Sequence, residues 1–309
     1  MKQAVIDIGS NSMRLTVYHV KQENFQILFR EKQMAGLAGY VEKGALSEDG
    51  IRCACDGLLE FRKTLRSLHI ENVVVFATAS LRNISNSDEA AEEIKERTGF
   101  HVEIISGEEE AAFGYMGAMK ELNLSGGAFV DIGGASTEIV TFQNQNMLSS
   151  VSLPIGSLNL YRKCVKKILP SANGVRRIQE EITSQLEEEK KIQFSQQEVV
   201  ACVGGTARAV LKFAKKKYHL PQQCNEVTAQ QLHEIVEMLC KADKAATDFI
   251  LKLEPDRIHT IIPGMLILEE IVRRFAADKI LISRYGVREG YLCQKVLQKK
   301  DIPTHKTEN

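Results

Sequence analysis

The stretch that decides the fold is Ala-Val-Ile-Asp-Ile-Gly-Ser-Asn-Ser at residues 4–12. Its short apolar run ends at Asp7 and leads into small polar residues, after which Met13, Leu15 and Val17 alternate with Arg, Thr and Tyr. Alternation with a period of two is the pattern of a strand. The stretch therefore predicts a strand, a tight polar loop and a second strand.

The same arrangement occurs a second time in the chain. Residues 128–137 read Ala-Phe-Val-Asp-Ile-Gly-Gly-Ala-Ser-Thr, and a second alternating run begins at Glu138. The second Asp, Asp131, lies 124 residues after Asp7 (131 minus 7). Because an internal repeat marks related structural units, we predict two related domains that each open with a strand–loop–strand hairpin.

Elsewhere the pattern mixes strands and helices. Four further apolar runs have the length of buried strands and lie at 73–76, 102–105, 199–203 and 279–283. Residues 174–194 are rich in Glu and Lys and predict a surface helix. The 309 residues fit two domains at roughly 100–200 residues each. We therefore predict an α/β protein divided into residues 1–123 and 124–309, the second with added helices and a short polar tail.

Composition excludes several classes of function. The 40 basic and 40 acidic side chains cancel, which argues against a protein that binds nucleic acid or a membrane surface overall. No apolar run reaches the ~18 residues of a transmembrane helix, and the first residues lead directly into a strand instead of a secretory signal. Seven scattered cysteines are a poor disulfide framework, and the close pair Cys53 and Cys55 predicts reduced thiols in a helix. We expect a cytoplasmic protein.

The two loops have the character of phosphate-binding loops. Small residues directly after a buried strand allow backbone N–H groups to approach an anion closely, and hydroxyl groups add donors. One such loop is a weak signal because Gly-Ser turns are common in hairpins, but two near-copies led by Asp favour phosphate binding. The pattern is not a Walker A loop. It is not a dinucleotide fingerprint either, since a strand and not a helix follows each loop.

Carboxylates beside these loops are candidate metal ligands. Mg²⁺ takes one or two protein carboxylates and shares its other positions between water and substrate phosphates. We therefore predict Mg²⁺ at Asp7, Asp131 and Glu138, with Mn²⁺ as another divalent cation that would serve. The alternatives are a turn carboxylate that caps its own loop, for the two Asp residues, and an exposed strand residue, for Glu138.

Hydrolysis of a phosphoanhydride also needs a group that orients and deprotonates water. One of the three Glu residues at 108–110 can do this from the start of a helix, whereas the others only favour the helix N-terminus. Arg14 and Arg82 are candidates for binding phosphate oxygens, because a guanidinium fork matches that geometry. The alternative, which the sequence supports equally, is that both are solvated arginines on the protein surface.

Taken in order, seven motifs resemble those of the exopolyphosphatase and guanosine pentaphosphate phosphohydrolase family. This family lies within the actin-like, sugar-kinase and heat-shock-chaperone ATPase superfamily, and the resemblance extends over roughly residues 3–296. The motifs are Asp-Ile-Gly-Ser-Asn-Ser-Met-Arg-Leu (7–15), Ala-Thr-Ala-Ser-Leu-Arg-Asn-Ile-Ser-Asn (77–86), Ile-Ser-Gly-Glu-Glu-Glu-Ala (105–111), Asp-Ile-Gly-Gly-Ala-Ser-Thr-Glu (131–138), Leu-Pro-Ile-Gly-Ser (153–157), Gly-Gly-Thr-Ala-Arg (204–208) and Tyr-Gly-Val-Arg-Glu-Gly (285–290).

The resemblance implies an α/β fold of two actin-like (ribonuclease H-like) domains with the active site in the cleft between them. It implies that Glu110 is the catalytic base and that Asp131 and Glu138 are the metal-linked carboxylates. Arg14 and Arg82 fall where arginines of the family face phosphate. The phosphate-binding residues that we predict are Gly9, Ser10, Asn11, Ser12, Arg14, Arg82, Gly133, Gly134, Ala135, Ser136 and Thr137.

Two features depart from the family pattern. The second loop of the family usually reads Gly-Gly-Gly-Ser, whereas the third position here is Ala135, which would be strained modestly if that position needed a positive φ. Long members also carry an additional C-terminal helical region. This chain resembles a short-form member without that region, and we expect a preference for shorter polymers.

These observations predict an exopolyphosphatase that hydrolyses the terminal phosphoanhydride of inorganic polyphosphate and releases orthophosphate. One alternative is a guanosine pentaphosphate 5′-phosphohydrolase that acts on a (p)ppGpp-type polyanion. An alternative of another class is a non-catalytic phosphate or nucleotide sensor. A kinase is disfavoured because the Ser-Gly-Glu-Glu-Glu-Ala motif belongs to the phosphohydrolase branch. We expect neither nucleic acid nor a membrane as partner, and the resemblance implies a homodimer.

Overall fold

A computed structural model describes residues 1–22 and 24–298. The polar tail that the sequence predicts from Lys299 lies outside the described residues. Two mixed β-sheets with flanking helices make up this part of the chain, which confirms the predicted α/β class. Within the described residues, no helix combines the length and the apolar character that a membrane crossing requires.

The first sheet and its helices come from the first third of the chain. The strands are β1 (Lys2–Ile8), β2 (Met13–Lys21), β3 (Asn24–Gln33), the short pair β4 (Val41–Glu42) and β5 (Ala45–Leu46), β6 (Val73–Ala77) and β7 (Val102–Ile104). The helices are α1 (Glu48–Ser67), α2 (Ala79–Arg82), α3 (Ser87–Thr98) and α4 (Gly107–Leu122). Five strands are ordered β3-β2-β1-β6-β7, with the antiparallel β1–β2 hairpin beside parallel β6 and β7. Helices α1 and α3 cover one face of this sheet.

The second sheet repeats this plan with an added strand. Its strands are β8 (Gly126–Ile132), β9 (Thr137–Gln143), β10 (Asn146–Leu153), β11 (Val199–Val203), β12 (Glu226–Thr228) and β13 (Lys279–Ile282). Its helices are α5 (Ser157–Cys164), α6 (Ala172–Glu188), α7 (Gly204–Tyr218), α8 (Ala229–Cys240), α9 (Lys244–Leu253) and α10 (Ile261–Arg274). The strand order is β10-β9-β8-β11-β13-β12, and β8, β11 and β13 run parallel.

The two hairpins have equivalent registers, which supports the repeat seen in the sequence. In the first hairpin Asp7 pairs with Arg14, and in the second Asp131 pairs with Glu138. The same offset of 124 residues separates both members of the pairs. Arg14 in the first half and Glu138 in the second half therefore occupy equivalent positions in their hairpins.

Helix α6 ends earlier than the sequence predicts. The charge pattern predicts a helix over 174–194, but α6 stops at Glu188. Beyond it Ile192 is buried and Phe194 packs on Phe275 with ring centroids 4.9 Å apart. These apolar contacts turn the chain away from the helix axis, and tertiary packing thus overrides the local charge pattern.

Two helices lie between the sheets. Helix α4 packs Ala111, Tyr115 and Ala118 against the second sheet, while a last helix, α11 (Val287–Tyr291), continues as a π-helix over Leu292–Leu297 and packs on the first sheet. The backbones of the two helices touch through glycines. A Cβ atom on Gly117 would overlap the carbonyl of Gly286, and one on Gly290 would overlap the carbonyl of Phe113.

Cys53 and Cys55 lie in α1 as free thiols. Ser47 caps this helix, since its side chain accepts a hydrogen bond from the amide of Gly50. Burial raises the pKa of the Cys55 thiol to about 11, so this thiol stays protonated at neutral pH. The close pair in the sequence is therefore part of a helix face, as the sequence predicts.

Candidate active site

The two predicted loops face each other across one cavity of about 90 Å³. At roughly 30 Å³ of liquid volume per water molecule, this space suits one phosphoryl group with an attacking water. Twelve of the residues that the sequence singles out line it, namely Asp7, Gly9, Ser10, Asn11, Ser12, Arg14, Glu110, Asp131, Gly133, Gly134, Ala135 and Ser136. The fold therefore brings both halves of the repeat to a single site.

Each loop is closed by the same backbone hydrogen bond. The amide of Gly9 donates to the carbonyl of Ser12 at 3.2 Å, and the amide of Gly133 donates to the carbonyl of Ser136 at 2.9 Å. The loops are close enough that a Cβ atom on Gly134 would lie 3.5 Å from the Cβ of Asn11. This distance is an ordinary van der Waals contact, and the small side chains of the two loops leave room for an anion beside the backbone amides.

A third loop, which the sequence analysis does not assign to the site, completes the wall. Gly204 and Gly205 begin α7 and line the cavity. Gly204 has a φ of 83°, which favours glycine, and a Cβ atom there would overlap the carboxylate of Asp131. The Gly-Gly that directly follows the buried strand β11 was the signal that could have identified it.

The alanine in the second loop is accommodated without backbone strain. Ala135 is not among the residues of positive φ in the described chain. The tight contact is made instead by Gly156, where a Cβ atom would overlap the backbone of Gly134 and Ala135. The departure from the family pattern therefore leaves the loop geometry intact.

Replacing Ala135 by Gly is expected to leave kcat and KM within about twofold. The substitution adds flexibility to the unfolded chain, so the free energy of unfolding should fall by ~0.5–1 kcal/mol. Steady-state phosphate release and urea denaturation would measure the two quantities. A several-fold gain in kcat would show that the alanine does distort the loop.

Two aspartates lie opposite each other in the cavity. Burial raises the pKa of Asp7, although the positive charges of Arg288 and Arg14 oppose it. Burial likewise raises the pKa of Asp131, and Arg14 again opposes the shift. Within the described residues neither carboxylate accepts a hydrogen bond, which leaves both available to a cation or to water.

Glu110 lies in the first turn of α4 and points its carboxylate into the cavity. Its side chain is 10% exposed, and its Oε2 accepts a hydrogen bond from Nη1 of Arg82 at 2.7 Å. Burial raises the pKa of Glu110 to about 7, while the charge and hydrogen bond of Arg82 hold it from rising further. Ser106 and Glu109 form a capping box that fixes this turn.

Glu138 lies behind the cavity wall. It is 1% exposed, and its Oε1 accepts a hydrogen bond from the hydroxyl of Ser152 at 2.7 Å, with Nη2 of Arg82 at 4.0 Å. Burial raises the pKa of Glu138 well above its usual value, and the charges of Glu110 and Asp131 add to the shift. Glu138 is thus not the exposed strand residue that was the alternative.

The carboxylates fit a Mg²⁺ ion that shares its shell with substrate. In the described part of the chain, no three His, Cys, Asp or Glu side chains converge closely enough to hold a metal ion unaided. Mg²⁺ needs only one or two carboxylates when phosphate oxygens and water complete its octahedron. Asp7 and Asp131 supply such a pair, with raised pKa values that a divalent cation would lower again.

Further arginines, which the sequence analysis does not assign to the site, lie near Arg14 of the cavity lining. Arg208 of α7, Arg257 and Arg288 of α11 interact electrostatically with Arg14. Arg208 is exposed to solvent and charged at neutral pH. Among the described residues no salt bridge neutralises Arg14, Arg208 or Arg288, whereas Arg257 lies 3.7 Å from Glu254. We call these four residues the arginine cluster.

Two predicted phosphate-binding residues lie outside the cavity lining. Thr137 is fully buried, and its hydroxyl donates to the carbonyl of Ile155 at 2.7 Å, so its side chain supports the loop from behind. Arg82 approaches from a neighbouring cavity and contacts the site through Glu110. The roles of both in phosphate binding stay predictions.

The sequence model of the Ppx/GppA phosphatase family matches residues 16–299. The chain belongs to this family. A Haemophilus influenzae protein named "Putative exopolyphosphatase" is 28% identical over 307 residues, which are 97% of this chain and 93% of the relative. A guanosine-5′-triphosphate,3′-diphosphate pyrophosphatase of Pseudoalteromonas translucida is 28% identical over 295 residues, which are 94% of this chain and 58% of the relative.

The crystal structure of a Ppx/GppA family member from Aquifex aeolicus is similar over most of its length. The two share 28% identity and a TM-score of 0.78, and the match covers 97% of this chain and 98% of the other. The predicted fold of two actin-like domains is therefore the fold of this Ppx/GppA protein. This chain spans between 47% and 93% of the length of the curated relatives with which it was compared.

Proposed function

We propose that this protein is a Mg²⁺-dependent exopolyphosphatase, which removes orthophosphate from the end of inorganic polyphosphate. The observation that carries the proposal is the position of Glu110, whose pKa is raised to about 7, in a cavity formed by two facing phosphate loops. A carboxyl with a pKa near neutrality accepts a proton from water and releases it again at physiological pH. The Ppx/GppA match and the relative of Haemophilus influenzae support the same reaction class.

In the proposed mechanism, water attacks the terminal phosphorus in line with the bridging oxygen. A new P–O bond forms while the bridging P–O bond breaks, Glu110 takes the proton of the water, and the shortened chain keeps the bridging oxygen. Arg82 holds the Glu110 carboxylate in place, and the loop amides stabilise the charge on the transferring oxygens. Bound Mg²⁺, held by Asp131 and Asp7 with Glu138 behind them, would supply further positive charge.

The charge beside the site favours polyphosphate over a guanine nucleotide. The arginine cluster offers positive charge for several consecutive phosphates. Guanosine pentaphosphate 5′-phosphohydrolase remains the second candidate, because curated relatives such as the one of Pseudoalteromonas translucida are named for a guanosine polyphosphate.

Phosphate release from short polyphosphate, long polyphosphate, guanosine pentaphosphate and ATP tests the proposal, with Mg²⁺, with Mn²⁺ and with EDTA. We expect the highest kcat/KM with polyphosphate, and loss of turnover in EDTA. Turnover of guanosine pentaphosphate alone would favour the second candidate. Binding of these anions with no phosphate release from any of them would replace the enzyme by a sensor.

Replacing Arg208 by Ala should raise KM for polyphosphate about tenfold with a smaller change in kcat, since a charge-assisted contact to phosphate contributes ~1.5–3 kcal/mol. The slope of KM against salt concentration should fall as well. Lys216→Ala removes a positive charge from the exposed end of the same helix and serves as the control. Equal effects of the two substitutions would show that only net charge matters.

Three expectations stay predictions: the homodimer, the cytoplasmic location and the domain limits 1–123 and 124–309. Native mass measurement of the full chain would test the first. The roles of the site residues rest on the geometry described above and on the substitutions proposed here and in the Discussion.

A further inference from the structure

A second cavity of about 320 Å³ lies next to the catalytic one. We call it the outer cavity. Residues from both halves of the chain line it: Arg82, Asn83, Ser106, Gly107, Glu108, Ser136, Val151, Ser152, Leu153, Pro154, Glu189 and Lys191. It is more than three times the volume of the catalytic cavity, and nothing in the proposed reaction uses it.

The two cavities share part of their wall. Ser136 lines both of them. Arg82 lines the outer cavity, while its Nη1 is bonded to Glu110, which lines the catalytic one. Nη2 of Arg82 has only the distant contact of 4.0 Å to Glu138 among its ion pairs in the described chain. Orthophosphate that moves from the catalytic cavity into the outer cavity would therefore pass Arg82 and Ser136.

The arginine cluster adjoins a part of the catalytic cavity that the outer cavity does not share. Arg14, Gly204 and Gly205 line only the catalytic cavity, and Gly205 lies against the guanidinium of Arg257. A polyphosphate whose terminal group reaches Glu110 would extend its other phosphates over this cluster. The shortened chain then blocks the route by which it entered, and the released orthophosphate needs another way out.

We propose that the outer cavity is the exit through which orthophosphate leaves the catalytic site. This inference rests on the proposed function, because it names the product of that reaction. Such an exit separates the two products. The shortened polyanion stays on the arginine cluster, and the single phosphate passes Arg82 and Ser136 to solvent.

The charges of the outer cavity suit a passage better than a binding site. Arg82 and Lys191 supply two positive charges, and Glu108 and Glu189 supply two negative ones. At the rim, Nζ of Lys191 lies 3.6 Å from Oε1 of Glu108, and both side chains are largely exposed. Exposed pairs of this kind are weak, so the rim can open at low cost, and a lining without net charge would let phosphate pass without retaining it.

Two variants of the full chain test the exit. Asn83→Trp places a bulky ring in the outer cavity at an exposed residue, and Lys191→Glu makes the lining net negative. Lys190→Trp and Lys190→Glu are the matched controls, because Lys190 is an exposed neighbour outside the lining. Short polyphosphate with Mg²⁺ is the substrate. Acid quench measures all phosphate formed, and a fluorescent phosphate sensor measures phosphate free in solution.

With Asn83→Trp and Lys191→Glu, we expect bond cleavage in the first turnover at the wild-type rate, followed by release slowed severalfold. Because release follows the chemical step, kcat and KM should fall together and kcat/KM should stay unchanged, while the rate at which added orthophosphate binds and inhibits should fall in parallel. A raised KM with no lag between cleavage and release would overturn the proposal and make the outer cavity the entrance. Wild-type release in both variants would overturn it too. Absence of cleavage in the wild type with every substrate would instead overturn the proposed function.

Discussion

Replacing Glu110 by Gln is expected to lower kcat for phosphate release by ~10²–10⁴, the usual contribution of a general base. The amide keeps the size of the side chain and can accept the hydrogen bond of Arg82, but it cannot take a proton from water. Binding of polyphosphate should persist, which equilibrium titration of the variant would measure.

The neighbouring Glu109 offers a matched control for this substitution. Glu109 belongs to the capping box and binds Lys295, and its side chain is 41% exposed. Glu109→Gln preserves the capping box, in which Gln serves as well as Glu, and should keep kcat within about twofold. If both variants lost activity equally, the loss would come from the helix start and not from a proton acceptor.

The same Glu110→Gln variant should show a stability difference that depends on pH. The pKa of Glu110 is raised from 4.5 to about 7 in the folded chain, so ionisation costs the folded state more than the unfolded state. The wild type should therefore lose stability relative to the variant as pH rises from 4.5 through about 7. The full difference is about 3 kcal/mol at ~1.4 kcal/mol per unit of pKa.

Denaturation in urea at pH 5 and at pH 8, in metal-free buffer, would measure this difference. We expect the free energy of unfolding of the variant to exceed that of the wild type at pH 8, and to differ little from it at pH 5. A gap that is the same at both pH values would show that Glu110 ionises as an ordinary glutamate, and the proposed base would then lack its distinguishing property.

Replacing Gly290 by Ala is expected to lower the free energy of unfolding by about 3 kcal/mol or more. The new Cβ atom would overlap the carbonyl oxygen of Phe113, which is backbone in α4 and cannot rotate away. Overpacking usually costs ~1–3 kcal/mol, and a contact with fixed backbone lies at the upper end. The ~1 kcal/mol that Ala gains over Gly in a helix does not offset this.

Gly174→Ala is the control for that substitution. Gly174 also lies in a helix, but the nearest atom to its new Cβ is the Cβ of Pro170 at 3.3 Å. This variant should unfold within about 1 kcal/mol of the wild type in a urea titration. If the free energy of unfolding of Gly290→Ala were equally close to that of the wild type, the two helices would be free to move apart. The glycine contact would then have no role in packing.

Much of this site could be predicted from the sequence because it consists of local patterns. Asp7 and Asp131 each follow a buried strand and precede small residues, and hairpin geometry then fixes where they point. The start of a helix after a short strand limits the base to one of the three Glu residues at 108–110, and the family resemblance singles out Glu110. Each of these inferences needs only a few consecutive residues.

The arginine cluster could not be predicted in the same way. Arg14 comes from β2, Arg208 from α7 and Arg288 from α11, and only the packing of α11 between the sheets brings them together. Arg208 and Arg288 lie within motifs that the sequence analysis quoted, but no local pattern distinguishes an arginine that faces a cleft from a solvated one. The position of Arg82 beside Glu110 likewise depends on the contact between α2 and α4.

The position of α11 has a consequence for the order in which the chain acquires its structure during synthesis. Tyr291, Leu292 and Val296 complete the apolar cluster that Val5 and Tyr18 begin at the other end of the described chain. About 180 residues separate β7 from α11, which a ribosome adds in roughly 10–40 s at ~5–20 residues per second. For that time the part of the first sheet that α11 covers is exposed on the nascent chain, and the first domain becomes complete only after the second has been translated.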